Sequence, residues 1–161
     1  MDIKINNNSG RFKFRVCGIL AVNNKYLTVK IGENKFYCLP GGHVELGEST
    51  DKAVLREMQE ELGFEVKINK LIAIVQNLFN ADESKVFHEV GYYYLVEPKN
   101  LNDVCLNDYS REEMDKGELK HLEFKWFTFE ELQNVDFRPN RLIECLKNER
   151  VESIIIDTFN K

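Results

Sequence analysis

One helix carries carboxylates where a helix tolerates them least, and that fixes much of what the chain can fold into. After a strand-stopping Pro40-Gly41-Gly42, the segment Thr50–Leu62 reads as helical. Ser49 or Thr50 is placed to cap it, Asp51 suits the positive end of its dipole, and Gly63 suits the C′ position. Val54, Met58 and Leu62 recur every four residues with Leu55 alongside, an apolar stripe that must pack on a sheet. Glu57, Glu60 and Glu61 stand at i, i+3 and i+4, within an arc of roughly 100° that begins beside that stripe. Like charges so placed repel unless a cation sits among them. The acids therefore belong at the rim of the core, facing a cleft, and a divalent metal explains them best.

Around this helix the chain reads as strands, giving an α/β fold. With 161 residues, 43% of them apolar and 18 aromatic (11 Phe, 6 Tyr, 1 Trp), it has enough core for a single domain over 1–161. Residues 1–9 read as a polar, loosely ordered lead-in. From Arg11 the stretch RFKFRVCGILAV alternates and then becomes continuously apolar, as a strand entering a sheet interior does. Asn23-Asn24 marks a turn into a strand over 26–31, and a short apolar stretch at 36–39 leads to Pro40. Longer strands follow at 66–79 and 86–97, joined by a turn at NADESK. Residues 99–118 look charged and irregular, a lid or binding loop. A strand at 122–129 precedes two helical pieces, FEELQNV and RPNRLIECLKNE. The tail, 150–161, reads as an added strand, a groove cover or an association surface for a homodimer.

Several function classes are disfavoured. A net charge of −5 leaves no basic stripe for a nucleic-acid polymer. No run approaches the ~18 apolar residues of a membrane span, and the start lacks a signal-peptide core. Four scattered cysteines without a CxxC pair read as buried free thiols. A soluble cytoplasmic protein is expected.

Hard divalent ions take oxygen ligands, and opposite a polyphosphate they neutralise charge and activate water. Gly41 and Gly42 leave the backbone free to approach a metal or phosphate closely. The residues alone thus suggest metal-assisted hydrolysis of a phosphoanhydride. REMQEEL alone would ordinarily be a solvated face, but its setting is specific: Gly42, five residues, Glu48, seven residues, then Arg56-Glu57-Met58-Gln59-Glu60-Glu61-Leu62-Gly63-Phe64. This resembles the signature of the Nudix hydrolases at every defined position. Seven fixed letters at background frequencies of ~6% coincide by chance on the order of once in 10⁸ starts.

The resemblance implies an α/β/α sandwich on a mixed sheet, with the signature forming a loop–helix–loop. It implies hydrolysis of a nucleoside diphosphate linked to another moiety, a small nucleotide substrate, with Mg²⁺ or Mn²⁺. By position, Glu60 and Glu61 match metal ligands, Glu57 a ligand or general base, and the Gly41 carbonyl a further donor. Glu48 and Arg56 match the pair that orients the catalytic carboxylate, beside Gly42. A later acid often completes the site, and Glu118 is the candidate. The contrasting reading, a non-catalytic binding module, typically loses these carboxylates, and all are present here. Family members acting on ADP-ribose tend to carry a proline, and those acting on diadenosine polyphosphates a tyrosine, some 16–18 residues past the box. Here that stretch is NLFNADE, with neither marker, and the substrate stays open. His43, His88 and His121, Tyr92–Tyr94, Cys38, Glu45, Arg138 and Arg141 read as structural or surface residues.

Overall fold

The structure, a computed structural model, describes residues 1–82, 85–115, 117–147 and 150–158. Nine strands form one sheet among them: β1 (Lys4–Asn7), β2 (Gly10–Val22), β3 (Lys25–Ile31), β4 (Gly41–His43), β5 (Val66–Asp82), β6 (Lys85–Pro98), β7 (Tyr109–Asp115), β8 (Glu118–Thr128) and β9 (Glu152–Asp157). The order is β7-β8-β3-β2-β6-β5-β9, with β1 and β4 paired to β2. The sheet is mixed, because β2 runs parallel to β6 and β5 parallel to β9. The expected turn at Asn23-Asn24 has both residues at positive φ, 51° and 61°, as a two-residue hairpin turn demands.

Strand β2 is buried on both faces at its centre, which explains its continuous apolar run. Val16 and Leu20 join one core with Val54, Met58 and Leu62 of α1 (Thr50–Leu62). Cys17 and Ile19 point the other way, into a second core with Phe127, Phe137 and Leu142. At Gly18 a Cβ would stand 2.5 Å from the Met58 sulfur, so the helix lies directly on the β2 backbone. Helix α1 spans the residues expected, with Ser49 at the N-cap and Gly63 at φ 80° as C-cap. Leu55 is exposed at 37%, off the stripe.

Elsewhere the expectations need correction. The lead-in is not loose: β1 forms a hairpin with β2, and Asp2 bridges Glu45. Its strand side chains are exposed and carry no apolar pattern, so it is held by backbone pairing together with Ile3 packed on the core. The supposed lid contains a 3₁₀ turn at Leu101–Asp103 and the edge strand β7, paired along its length with β8. The intervening loop is tied down by Trp126, whose indole N–H donates to the Cys105 carbonyl at 2.9 Å. This edge strand is rich in charge, and its two apolar members, Tyr109 and Met114, fall on opposite faces, so periodicity misses it. The C-terminal helical pieces shrink to α2 (Phe129–Leu132) and a 3₁₀ segment at Asn140–Cys145, so the second helical layer of the sandwich is thin. The tail becomes β9, an added strand. Glu83 and Ser84 of the NADESK turn, and residues 159–161 of the tail, lie outside the described residues. All four cysteines are free thiols, though Cys105 is exposed and Cys38 half-buried. Among the described residues no helix is long and apolar enough to cross a membrane.

Candidate active site

The site forms where α1 passes over β4. Pairing of Gly41 with Cys17 and of Gly42 with Val16 fixes the glycine pair against the sheet's centre. Gly41 adopts φ 146°, and a Cβ there would lie 2.1 Å from the Val16 carbonyl oxygen. A Cβ on Gly42 would lie 2.2 Å from a Glu57 carboxylate oxygen. Neither position admits a side chain without a shift: the β2 backbone fills the space at Gly41, and the Glu57 carboxylate fills it at Gly42. Gly42→Ala is therefore expected to keep the fold and swing Glu57 aside, lowering turnover ~10-fold, since small misplacements of a reacting group are costly. Steady-state kinetics beside a melting curve checks it.

The three acids differ sharply in environment. Glu61 is 5% exposed and accepts a hydrogen bond from the Gly41 N–H at 2.8 Å. Burial pushes its pKa up to about 8, the Gly41 N–H opposes this, and the charges of Glu113 and Glu57 add to it. Burial also raises Glu57, partly offset by Arg56. Glu60 is half exposed. Arg56 binds the group together. Its guanidinium donates twice to Glu48, at 2.9 Å each, and to the His43 carbonyl at 2.9 Å. It also donates to Glu57 at 2.8 Å and Glu60 at 3.3 Å. Glu48 accepts in addition from the Glu45 N–H. The Glu48–Arg56 pairing expected from sequence is thus formed.

The donor set suits a hard divalent cation. It consists of carboxylates with too little positive charge among them, and the backbone beside them is bare. Among the described residues no three His, Cys, Asp or Glu side chains are already gathered tightly enough to hold an ion. Arg56 pairs with Glu57 and Glu60, while Glu61 pairs with the Gly41 N–H.

Glu118 is not where the expectation put it. It opens β8, exposed, and does not line the cleft; Glu113 on β7 does, and its charge acts on Glu61. Reading 99–118 as a loop hid the strand alternation that turns Glu113 inward. The cleft encloses about 700 Å³. Sequence reasoning also missed its basic wall. Arg15 donates to the Gly41 carbonyl at 3.3 Å and lies 3.7 Å from Glu89, with Lys13 beside it. The signal was present, since RFKFR on one strand places Arg11, Lys13 and Arg15 on a single face. Arg138, read as a surface charge, lines the cleft and stacks 4.4 Å over Phe36. His43 also faces the cleft, its pKa lowered to about 4 by burial and Arg15, and its Nε2 is buried without a hydrogen-bond partner among the described residues.

Comparison with known proteins agrees with this geometry. The chain is 42% identical over 62 residues to an ADP-ribose pyrophosphatase of Methanocaldococcus jannaschii, covering 37% of each chain. It is 33% identical over 69 residues to a putative 8-oxo-dGTP diphosphatase of Bacillus subtilis, covering 43% of this chain and 46% of that one. These matches span less than half the length of either curated relative. The fold matches the crystal structure of a MutT protein from Bacillus halodurans with a TM-score of 0.61 at 16% identity, covering 91% of both chains. The NUDIX domain profile matches residues 11–145. With that match spanning most of its length, the chain belongs to the NUDIX domain family.

Proposed function

We propose that this protein hydrolyses a phosphoanhydride bond in a nucleoside diphosphate linked to another moiety, by attack of water at phosphorus. The observation that carries the reading is the set Glu57, Glu60 and Glu61 facing side-chain-free Gly41-Gly42, with Glu61 buried against the Gly41 N–H. Glu57, Glu60, Glu61 and the Gly41 carbonyl would hold the ion, with Glu113, not Glu118, as the acid from outside the helix. The all-oxygen donors favour Mg²⁺, with Mn²⁺ able to replace it. Such an ion, when bound, stabilises charge on the transferring phosphoryl group and acidifies water.

The chain's own residues supply the rest. Glu57, mostly withdrawn from solvent and steered by Arg56, is placed to accept the water's proton. Arg56 itself stays charged among Glu48 and Glu57. Arg15 and Lys13 face the substrate's negative oxygens across the Gly41 carbonyl. Names of the relatives suggest ADP-ribose and oxidised deoxynucleoside triphosphates as first substrates to try. Incubating the protein with Mg²⁺ or Mn²⁺ and a panel of nucleotide derivatives, while following phosphate and nucleoside monophosphate release, tests the reading. Metal-dependent release that chelator abolishes is expected. Tight nucleotide binding without turnover would favour the binding-module reading.

A further inference from the structure

Helix α1 ends on two acids, Glu60 and Glu61, and carries no basic residue in its last turn. A helix C-terminus is the negative end of the dipole, so acids there call for a cation from elsewhere. Arg111 supplies it from 50 residues downstream, its guanidinium donating to the Glu61 carbonyl at 2.8 Å. The contact has a reserved place. A Cβ on Gly63, the C-cap, would lie 2.6 Å from the same guanidinium nitrogen. Arg111 sits on β7 between two inward neighbours of different kinds. Tyr109 packs against the core and stacks on Phe124, with centroids 4.7 Å apart and planes 14° apart. Glu113 lines the cleft, whereas Arg111 does not. One face of this edge strand therefore runs from core to helix end to acid site, in steps of about 7 Å. Burial raises the Glu113 pKa; Lys120 and Arg111 oppose the rise, while Asp115 and Glu60 add to it. In the sheet β7 pairs with β8 at the edge, and that pairing does not set its distance from α1.

We propose that Arg111 is a positioning residue: its hold on the Glu61 carbonyl draws β7 against the end of α1 and sets the Glu113 carboxylate where it can share an ion with Glu60 and Glu61. This rests on the hydrolase reading above, in which Glu113 is the acid from outside the helix. A helix cap and nothing more would behave differently. Removing its charge from beside these acids would leave affinity for a divalent ion unchanged or tighter, because a guanidinium repels a cation. Loss of a group that aims a ligand weakens that affinity instead, by roughly 10- to 100-fold.

Mn²⁺ binding in the absence of substrate, followed by the spin-resonance signal of free Mn²⁺, separates the two roles. Arg111→Ala and Glu113→Gln should each weaken binding ~10-fold. The double variant should bind no more weakly than Glu113→Gln alone, because Arg111 acts through Glu113. Should Arg111→Ala fail to fold, Arg111→Met keeps the stem without the donors and carries the same expectation. Unchanged or tighter binding in Arg111→Ala and Arg111→Met overturns the proposal, even where the melting temperature falls. So does unchanged binding in Glu113→Gln, or a double variant ~10²-fold down, the product of two independent losses. Hydrolysis with independent losses would refute the role of Arg111 alone. Coupled losses without hydrolysis would refute the enzymatic reading alone.

Discussion

Glu61→Gln is expected to lower metal-dependent hydrolysis by ~10²-fold or more while leaving the metal-free fold as stable as the parent, or more so. The amide oxygen of glutamine still accepts from the Gly41 N–H, so the 2.8 Å hydrogen bond survives. What disappears is a charge buried among Glu57 and Glu113, which the ion needs and the empty site resists. The pH dependence makes the two effects separable. In the fold the Glu61 pKa rises from 4.5 to about 8, so between those values the native chain binds a proton the unfolded chain has lost. Metal-free stability is therefore full below about 4.5 and drains as pH climbs through about 8. In the variant this component is absent and the curve flattens. Glu60→Gln should match the activity loss, since it removes charge from the same proposed ion site. Calorimetric melting in chelator from pH 5 to 8, beside kinetics in Mg²⁺, measures both. Unchanged turnover in both variants would rule out the proposed ion site.

Arg56 is expected to be the costliest single loss for structure and activity together. Its guanidinium serves Glu48, Glu57, Glu60 and the His43 carbonyl at once. Arg56→Ala leaves the Glu48 and Glu57 carboxylates, each mostly buried, without their cation. Discounted for its partial exposure, that should cost about 2 kcal/mol. For a domain of this size it lowers the melting temperature by about 4–8 °C. Mg²⁺ should recover part of this, since it replaces positive charge among the same acids. Arg56→Lys restores the charge without the planar fork, and a single ammonium cannot pair with Glu48 twice while reaching Glu57. Its melting temperature should approach wild type while turnover stays at least ~10-fold down, because Glu57 is no longer aimed. Full activity in Arg56→Lys would show that charge alone suffices.

What could be read from the sequence followed from how local each signal was. Helix α1 and its three acids were legible to the residue, because period, caps and charge arc lie within one segment. The Glu48–Arg56 pair was legible only through spacing that matched a family. Strands β1 and β7 were missed because neither shows apolar alternation, and β9, one of three readings of the tail, stayed unplaced because its partner is the distant β5. That omission carried over to the site: without β7, nothing distinguished Glu113 from Glu118. The basic wall was visible in RFKFR but acquired meaning only when β4 brought Gly41 against Arg15.

The pairing of Gly41 and Gly42 with Cys17 and Val16 has a dynamic consequence. Those β2 residues belong to the two cores, so the floor of the acid site cannot loosen without parting the sheet at its centre. Local opening, which in most enzymes admits substrate and releases product, is denied to this side of the cleft. Motion that accompanies turnover must come from the edge hairpin β7–β8, where Glu113 sits. The slowest and fastest exchanging amides of this protein should therefore face each other across the acid site.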